Sequence, residues 1–169
     1  VGIVTCGGLC PGINDVIRAL TLSLHYHYGV QAVFGFRYGY EGLNPEIGHE
    51  PLLLTPDNVE PISTLGGTVL GSSRGEQPVP VMVDELVRRG VSILFAIGGD
   101  GTLRGAGAIA AEVQRRGLDI AVVGIPKTID NDISYIHQSF GFQTAASEAQ
   151  AAVEAAHTEA VAARNGIGL

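Results

Sequence analysis

The sequence lacks three features that would assign it to a disulfide-rich, a membrane-spanning or a nucleic-acid-binding class. It has only two cysteines, Cys6 and Cys10, too few for a disulfide framework or a structural zinc site. Its apolar run over residues 91–97 contains a serine and ends at Gly98. The run is much shorter than a helix that spans a bilayer, which needs about 20 residues. The net charge of −7 argues against nucleic acid or an anionic membrane surface as the main partner.

The rest of the composition indicates a single globular unit. The chain has 169 residues, of which 46% are hydrophobic and 16% are charged, enough to bury one core and too few for two. It shows no cleavable signal pattern, and it begins with Val rather than Met in a strand-like segment, so we expect residues to be missing upstream. We predict a cytoplasmic protein with both thiols reduced.

Apolar segments alternate with helical segments along the chain. The predicted strands cover residues 1–5, 31–36, 91–97 and 120–125. One predicted helix begins near residue 14, and another follows Thr102 and runs through residue 116. Two more cover residues 81–89 and 143–163, the last with a packing face at Val153, Ala156 and Ala160. Residues 39–75 are predicted to form loops with short helical turns. This order predicts an α/β fold, a doubly wound and mostly parallel sheet with helices on both faces, which binds ligands at the carboxyl ends of its strands.

A glycine-rich segment follows the first predicted strand. Residues 5–14 read Thr-Cys-Gly-Gly-Leu-Cys-Pro-Gly-Ile-Asn, in the order strand, turn, helix. Glycines let the backbone approach a ligand closely, and a helix start offers unpaired N–H groups, so phosphate is the expected guest. A tight turn that needs glycine for its own geometry explains the segment equally well.

A second glycine-rich segment, Gly-Gly-Asp-Gly-Thr, covers residues 98–102 after another strand. Asp100 stands between glycines, where its carboxylate can hold Mg²⁺ against phosphate oxygens, and Thr102 can cap the next helix. The alternative is that Asp100 only caps that helix. The glycines on both sides of it favour the metal.

The third segment, residues 126–132, reads Pro-Lys-Thr-Ile-Asp-Asn-Asp. Lys127 offers a positive charge to a phosphate, and either Asp130 or Asp132 can take a proton from an attacking hydroxyl or hold a metal. Alone, this segment is typical of a solvated loop. Together with the other two segments it indicates phosphoryl transfer.

The order of these segments resembles that of the phosphofructokinase family over nearly the whole chain. The matching segments are residues 7–14, 39–43, 71–74, 98–102 and 126–132. The Thr-Ile-Asp-Asn-Asp part of the last segment is highly specific to that family, whereas Gly-Gly-Asp-Gly-Thr also occurs in NAD kinases and lipid kinases. A NAD kinase-like enzyme would leave the Thr-Ile-Asp-Asn-Asp part unexplained.

The resemblance implies roles for particular residues. It implies a nucleotide site formed by Gly8, Tyr40, Arg74, Gly101, Thr102 and Gly105. It implies that Asp100 holds Mg²⁺, that Asp132 supports the metal and phosphate region, and that Asp130 deprotonates the sugar 1-hydroxyl. Thr128 would contact the sugar phosphate or the transferred phosphoryl group, and Lys127 would position phosphates during catalysis.

Two positions bear on the phosphoryl donor. Pyrophosphate-using members of the family carry a second aspartate where this chain has Gly101, which leaves room for ATP. Lys127 is typical of the pyrophosphate users, but glycine and lysine together are similar to the plant and trypanosome-like ATP-dependent group. The resemblance therefore implies ATP as donor and fructose 6-phosphate as acceptor, in glycolysis, with pyrophosphate as the alternative donor.

The resemblance also predicts what residues 1–169 contain. We expect one nucleotide-binding lobe, with the second, sugar-phosphate lobe absent from this chain, and a homo-oligomer in the full-length enzyme. The alternative to a catalytic chain is a non-catalytic fragment that binds the nucleotide without turnover. For the 169 residues alone, that fragment is what we expect.

Overall fold

The computed structural model describes residues 1–168 and has one five-stranded sheet. The strands are β1 (Gly2–Thr5), β2 (Val33–Phe36), β3 (Leu52–Leu54), β4 (Ile93–Gly98) and β5 (Ala121–Pro126). The helices are α1 (Ile13–Tyr28), α2 (Pro56–Val59), α3 (Val79–Arg88), α4 (Asp100–Arg115) and α5 (Phe142–Ala162), with 3-10 helices at Gly39–Leu43 and Glu60–Thr64. The strand order is β3-β2-β1-β4-β5, and only the β2–β3 pair is antiparallel.

Helices cover both faces of this sheet. Because side chains alternate along a strand, Ile3 and Val4 of β1 point to opposite faces and lie in two separate cores. Ile3 packs in the core that contains Ile17 of α1, and Val4 packs in the core that contains Leu86 of α3 and Ile109 of α4. The predicted doubly wound, mostly parallel α/β fold is confirmed.

The prediction was wrong about two elements. Residues 52–54 form β3, a short strand on β2, within a region predicted to contain only loops and helical turns. Its three residues are too few for a recognisable period, and Leu52 and Leu53 are exposed. Helix α5 forms as predicted, but it buries none of its side chains, and Val153 of the predicted packing face is 67% exposed.

The sheet order brings the three predicted ligand-binding segments together. Strands β1, β4 and β5 are parallel neighbours, so the segments that follow them leave the sheet side by side. Thr5 pairs with Ile97, and Gly98 pairs with Pro126, which aligns the carboxyl ends of the three strands. None of the helices in residues 1–168 is both long and apolar enough to cross a membrane.

Candidate active site

A cleft of about 570 Å³ opens at the carboxyl ends of β1, β4 and β5. Nine of the predicted site residues line it: Gly8, Tyr40, Arg74, Gly101, Thr102, Gly105, Lys127, Thr128 and Asp130. The predicted metal ligands Asp100 and Asp132 are not among the residues that line it. The structure therefore places the predicted nucleotide and catalytic residues around one space.

The loop after β1 is built against residues 72–74. Gly7 has a φ of 82°, a left-handed conformation that favours glycine, and its N–H donates to the carbonyl of Ser73 at 3.0 Å. The Ser72 hydroxyl donates in turn to the Gly7 carbonyl at 2.6 Å. A Cβ atom at Gly8 would lie 3.5 Å from Nη2 of Arg74, so the guanidinium lies directly beside the glycine loop.

Tyr40 fixes the start of α4. Its side chain is only 6% exposed, and its hydroxyl donates to the carbonyl of Thr102 at 2.6 Å. Burial raises the pKa of this hydroxyl, so it stays protonated and can donate. A Cβ atom at Gly105 would lie 2.7 Å from Cε2 of Tyr40, closer than carbon atoms pack. The N-terminus of α4, with its unpaired N–H groups, is therefore held at the cleft, which Gly99 and Gly101 also line.

Lys127 joins the three strand ends. It is only 4% exposed, and its ammonium group donates to the carbonyl of Gly8 in the loop after β1. Its backbone N–H donates to the carbonyl of Gly98 at 2.9 Å, at the end of β4. Burial lowers its pKa, because the charged form loses solvation. Lys127 thus positions the glycine loop from β5.

The loop after Lys127 is ordered by its own hydrogen bonds. The Thr128 hydroxyl donates to Oδ1 of Asp132 at 2.7 Å and accepts from the N–H of Asp130 at 3.2 Å. Ser139 donates its hydroxyl to the carbonyl of Thr128 and its N–H to Oδ1 of Asn131, both at 2.7 Å. These bonds place the exposed Asp130 at the cleft and leave Asp132 as the acceptor for Thr128.

Asp100 is the first residue of α4 and is exposed, between two glycines that line the cleft. Gly99 is the N-cap and no side chain caps the helix, so the predicted cap at Thr102 and the alternative cap at Asp100 are both wrong. Among residues 1–168 no three His, Cys, Asp or Glu side chains converge as a metal cage. Mg²⁺ ordinarily keeps several waters and takes one or two protein carboxylates together with substrate phosphates. The exposed carboxylate of Asp100, next to a cleft lined by Arg74 and Lys127, fits that mode of binding.

Several residues of the cleft were not predicted from the sequence. Arg104 and Ala108 lie on the same side of α4 as Gly101 and Gly105, and a helical period of three to four residues from Gly101 could have identified them. Val79 and Met82 of α3 also line the cleft. Nothing in the sequence signals them, because α3 reaches the site through its packing on α4 and on the 3-10 helix at Gly39–Leu43.

Comparisons with known proteins agree with this geometry. A family model described as phosphofructokinase matches residues 1–167. The chain belongs to the phosphofructokinase family. This assignment confirms the resemblance that the five matching segments indicate.

Curated phosphofructokinases are similar over the full chain. Proteins named ATP-dependent 6-phosphofructokinase from Trypanoplasma borreli and Trypanosoma cruzi are each 56% identical over 169 residues, which are 100% of this chain and 34% and 35% of theirs. The Arabidopsis thaliana protein named ATP-dependent 6-phosphofructokinase 7 is 51% identical over 98% of this chain and 34% of its own. The chain thus spans about a third of the length of the curated phosphofructokinases it matches.

Solved phosphofructokinase structures share the fold. A pyrophosphate-dependent phosphofructokinase from Marinobacter aquaeolei superposes with a TM-score of 0.82 at 22% identity, covering 94% of this chain and 41% of that one. Phosphofructokinase from Saccharomyces cerevisiae superposes with a TM-score of 0.71 at 26% identity, covering 94% of this chain and 24% of that one. The chain therefore shares the fold of part of each of these phosphofructokinases.

Proposed function

We propose that this chain is the nucleotide-binding lobe of an ATP-dependent 6-phosphofructokinase, a cytoplasmic enzyme of glycolysis. The reaction transfers the γ-phosphoryl group of ATP to the 1-hydroxyl of fructose 6-phosphate. One observation carries the proposal: a single cleft gathers the glycine loop with Arg74, the N-terminus of α4, and the loop that holds Asp130. Phosphoryl transfer needs positioning and charge stabilisation above all, and this cleft offers both.

The shape of the cleft supports ATP rather than pyrophosphate as the donor. A Cβ atom at Gly101 would meet nothing within 4 Å, so the space beside the start of α4 is open. Farther along, Tyr40, Val79, Met82 and Ala108 give the cleft an apolar side, suited to the flat ring of a base. Pyrophosphate has no group that would use this apolar side.

The phosphates would lie at the polar end of the cleft. Arg74 beside Gly8, the N–H groups at the start of α4, and the ammonium group of Lys127 supply positive charge there. We propose that Asp100 holds Mg²⁺ and that Asp132 supports the same region through Thr128. When bound, the ion neutralises negative charge on the phosphates.

Asp130 is our proposed general base. Its carboxylate is exposed at the cleft, and its backbone N–H is fixed by Thr128, so the side chain can face an acceptor hydroxyl. As the 1-oxygen forms its bond to the γ-phosphorus, the bond from that phosphorus to the bridging oxygen breaks and ADP leaves. The hydroxyl proton passes to Asp130. Thr128 would contact the transferred group or the sugar phosphate.

Asp130, on the proposed acceptor side, is exposed, whereas Tyr40 and Thr102, on the proposed nucleotide side, are buried. We propose that further ligands of fructose 6-phosphate come from a second lobe, since the matched relatives are about three times as long as the matched segment, and that the full enzyme is a homo-oligomer. The 169 residues alone should therefore bind ATP without phosphorylating fructose 6-phosphate. Turnover by this chain alone, measured by coupled ADP release, would contradict that part of the proposal.

Calorimetric titration of the 169-residue chain with Mg·ATP and with Mg·pyrophosphate tests the donor. We expect ATP to bind more tightly, and we expect Gly101→Asp to weaken ATP binding at least about tenfold by placing a negative charge beside the phosphates. Gly107→Asp is the matched control and should bind ATP normally, because it adds the same negative charge to α4 at an open position outside the cleft. Tighter binding of pyrophosphate would favour the pyrophosphate-dependent alternative, and binding of neither would reject both.

A further inference from the structure

Arg104 is a cation of the cleft that has no role in the proposed chemistry. It is exposed, it lines the cleft, and within residues 1–168 it forms no hydrogen bond or ion pair. The other arginines of this helix region differ, because Arg115 and Arg116 are both paired with Glu112 at 2.7 and 2.6 Å. The guanidinium of Arg104 is therefore available to a ligand.

Arg104 lies between the two ends of the cleft. It follows Gly101 by three positions and precedes Ala108 by four, which at about 1.5 Å per residue puts it roughly 4.5 Å and 6 Å from them along the helix axis. Gly101 lies at the end of the cleft where the N–H groups of the α4 N-terminus are, and Ala108 lies on the apolar side suited to a nucleotide base. A nucleotide bound along α4 would have its α-phosphate and ribose opposite Arg104.

The other cations of the cleft are placed elsewhere. Lys127 donates to the carbonyl of Gly8, and Arg74 lies beside the same glycine, so both lie at the loop after β1. Arg104 stands on a different element, α4, toward the middle of the cleft. An α-phosphate is the group that ATP and ADP have there and that pyrophosphate, bound at the donor position, would lack.

We propose that Arg104 is a specificity-determining residue that binds the α-phosphate and thereby selects adenine nucleotides over pyrophosphate. This proposal rests on the proposed function, because it takes the cleft to be the donor site. Arginine suits the role, since its planar guanidinium presents two parallel N–H donors to phosphate oxygens.

The test titrates the 169-residue chain and its Arg104→Gln variant with Mg·ATP, Mg·ADP, adenosine and Mg·pyrophosphate. We expect Arg104→Gln to weaken ATP and ADP binding about tenfold or more, the loss of a charge-assisted hydrogen bond, and to leave adenosine and pyrophosphate unchanged. Arg104→Lys should recover part of the loss, because it restores the charge without the paired donors. Arg115→Gln removes one positive charge from the same helix outside the cleft and should change none of the four affinities.

Two results would overturn the proposal while the chain still binds ATP. One is an unchanged ATP affinity in Arg104→Gln; the other is an equal loss for adenosine or pyrophosphate, which would indicate a general disturbance of the cleft. A parent chain that binds no adenine nucleotide would reject the proposed function together with this inference. Circular dichroism melting of each variant separates loss of binding from loss of fold.

Discussion

Residues 1–120 provide most of the buried side chains on both faces of the sheet, whereas residues 121–168 are mostly exposed. Helix α1 has 16 residues and five of them are buried, but α5 has 21 residues and none is buried. Within residues 121–168 the buried residues are Lys127, Ile133 and Ser139. The proposed nucleotide side of the cleft thus belongs to the packed region, and the proposed acceptor side belongs to the exposed one.

This difference separates binding from chemistry. Tyr40 and Thr102 are buried and joined by a hydrogen bond, so the packed region holds the proposed nucleotide site on a fixed framework. Asp130 is exposed on a loop that is held by hydrogen bonds of its own and by Lys127. Changes in the packed region should therefore alter nucleotide affinity, and changes in the exposed region should alter turnover.

The largest effect is expected at Asp130. In a hybrid in which this chain replaces the matching segment of the Trypanosoma cruzi relative, Asp130→Asn should lower kcat about 10³-fold, because it removes the general base. In the 169-residue chain the same substitution should leave ATP affinity within about twofold, measured by calorimetric titration. Asp119→Asn, an exposed carboxylate outside the cleft, is the matched control. A hybrid that keeps its kcat would show that Asp130 is not the base.

Amide hydrogen exchange compares the two regions directly. Amides in the central turns of α5 should exchange faster than those of α1 by a factor on the order of 100, because α5 has no buried side chains to resist local opening. The measurement is mass-resolved exchange on the 169-residue chain at several protein concentrations. Equal protection of the two helices would mean that α5 is covered in solution, and a dependence on concentration would identify a second copy as the cover.

A glycine pair on α4 tests how closely the packed region is fitted. A methyl group at Gly105 would overlap the Tyr40 ring, whereas one at Gly107 would meet nothing within 4 Å. Gly105→Ala should therefore weaken ATP binding about tenfold by displacing Tyr40. Gly107→Ala should stabilise the chain by about 1 kcal/mol through helix propensity and bind ATP normally. Identical ATP affinities in the two variants would contradict the contact between Gly105 and Tyr40.

The smallest effect concerns pH and the buried thiol of Cys6. Burial raises the pKa of this thiol from 9.0 to about 11, so the folded chain holds the proton more tightly than the unfolded chain. That stability is fully present below pH 9 and is lost as pH rises through the range from 9 to 11. In urea unfolding, the parent chain should lose up to about 2 kcal/mol relative to Cys6→Ala across that range. A constant difference between the two would show that Cys6 is accessible to solvent.

The sequence predicts the strand ends and their loops well, because each depends on local chemistry. The glycines next to Asp100, and Lys127 beside Thr128, indicate ligand-binding loops from a few neighbouring residues alone. Nine of the predicted site residues line one cleft for this reason. The parallel sheet then follows from apolar strands that alternate with helices.

Long-range packing explains what the sequence did not predict. Val79 and Met82 reach the cleft because α3 lies against α4, a contact that no local pattern encodes. Strand β3 depends on pairing with β2 rather than on its own three residues. The predicted packing face of α5 has the right residue types, but a small apolar stripe does not reveal whether a partner surface is present.

The position of Lys127 has a consequence for synthesis on the ribosome. The amino-terminal end of a chain is synthesised first, so the glycine loop and the start of α4 are made before Lys127 is added. Until then the Gly8 carbonyl lacks its ammonium partner, and the Gly98 carbonyl lacks its amide partner. The nascent chain should acquire affinity for nucleotide only after β5 has joined the sheet, which makes ligand capture a late event in folding.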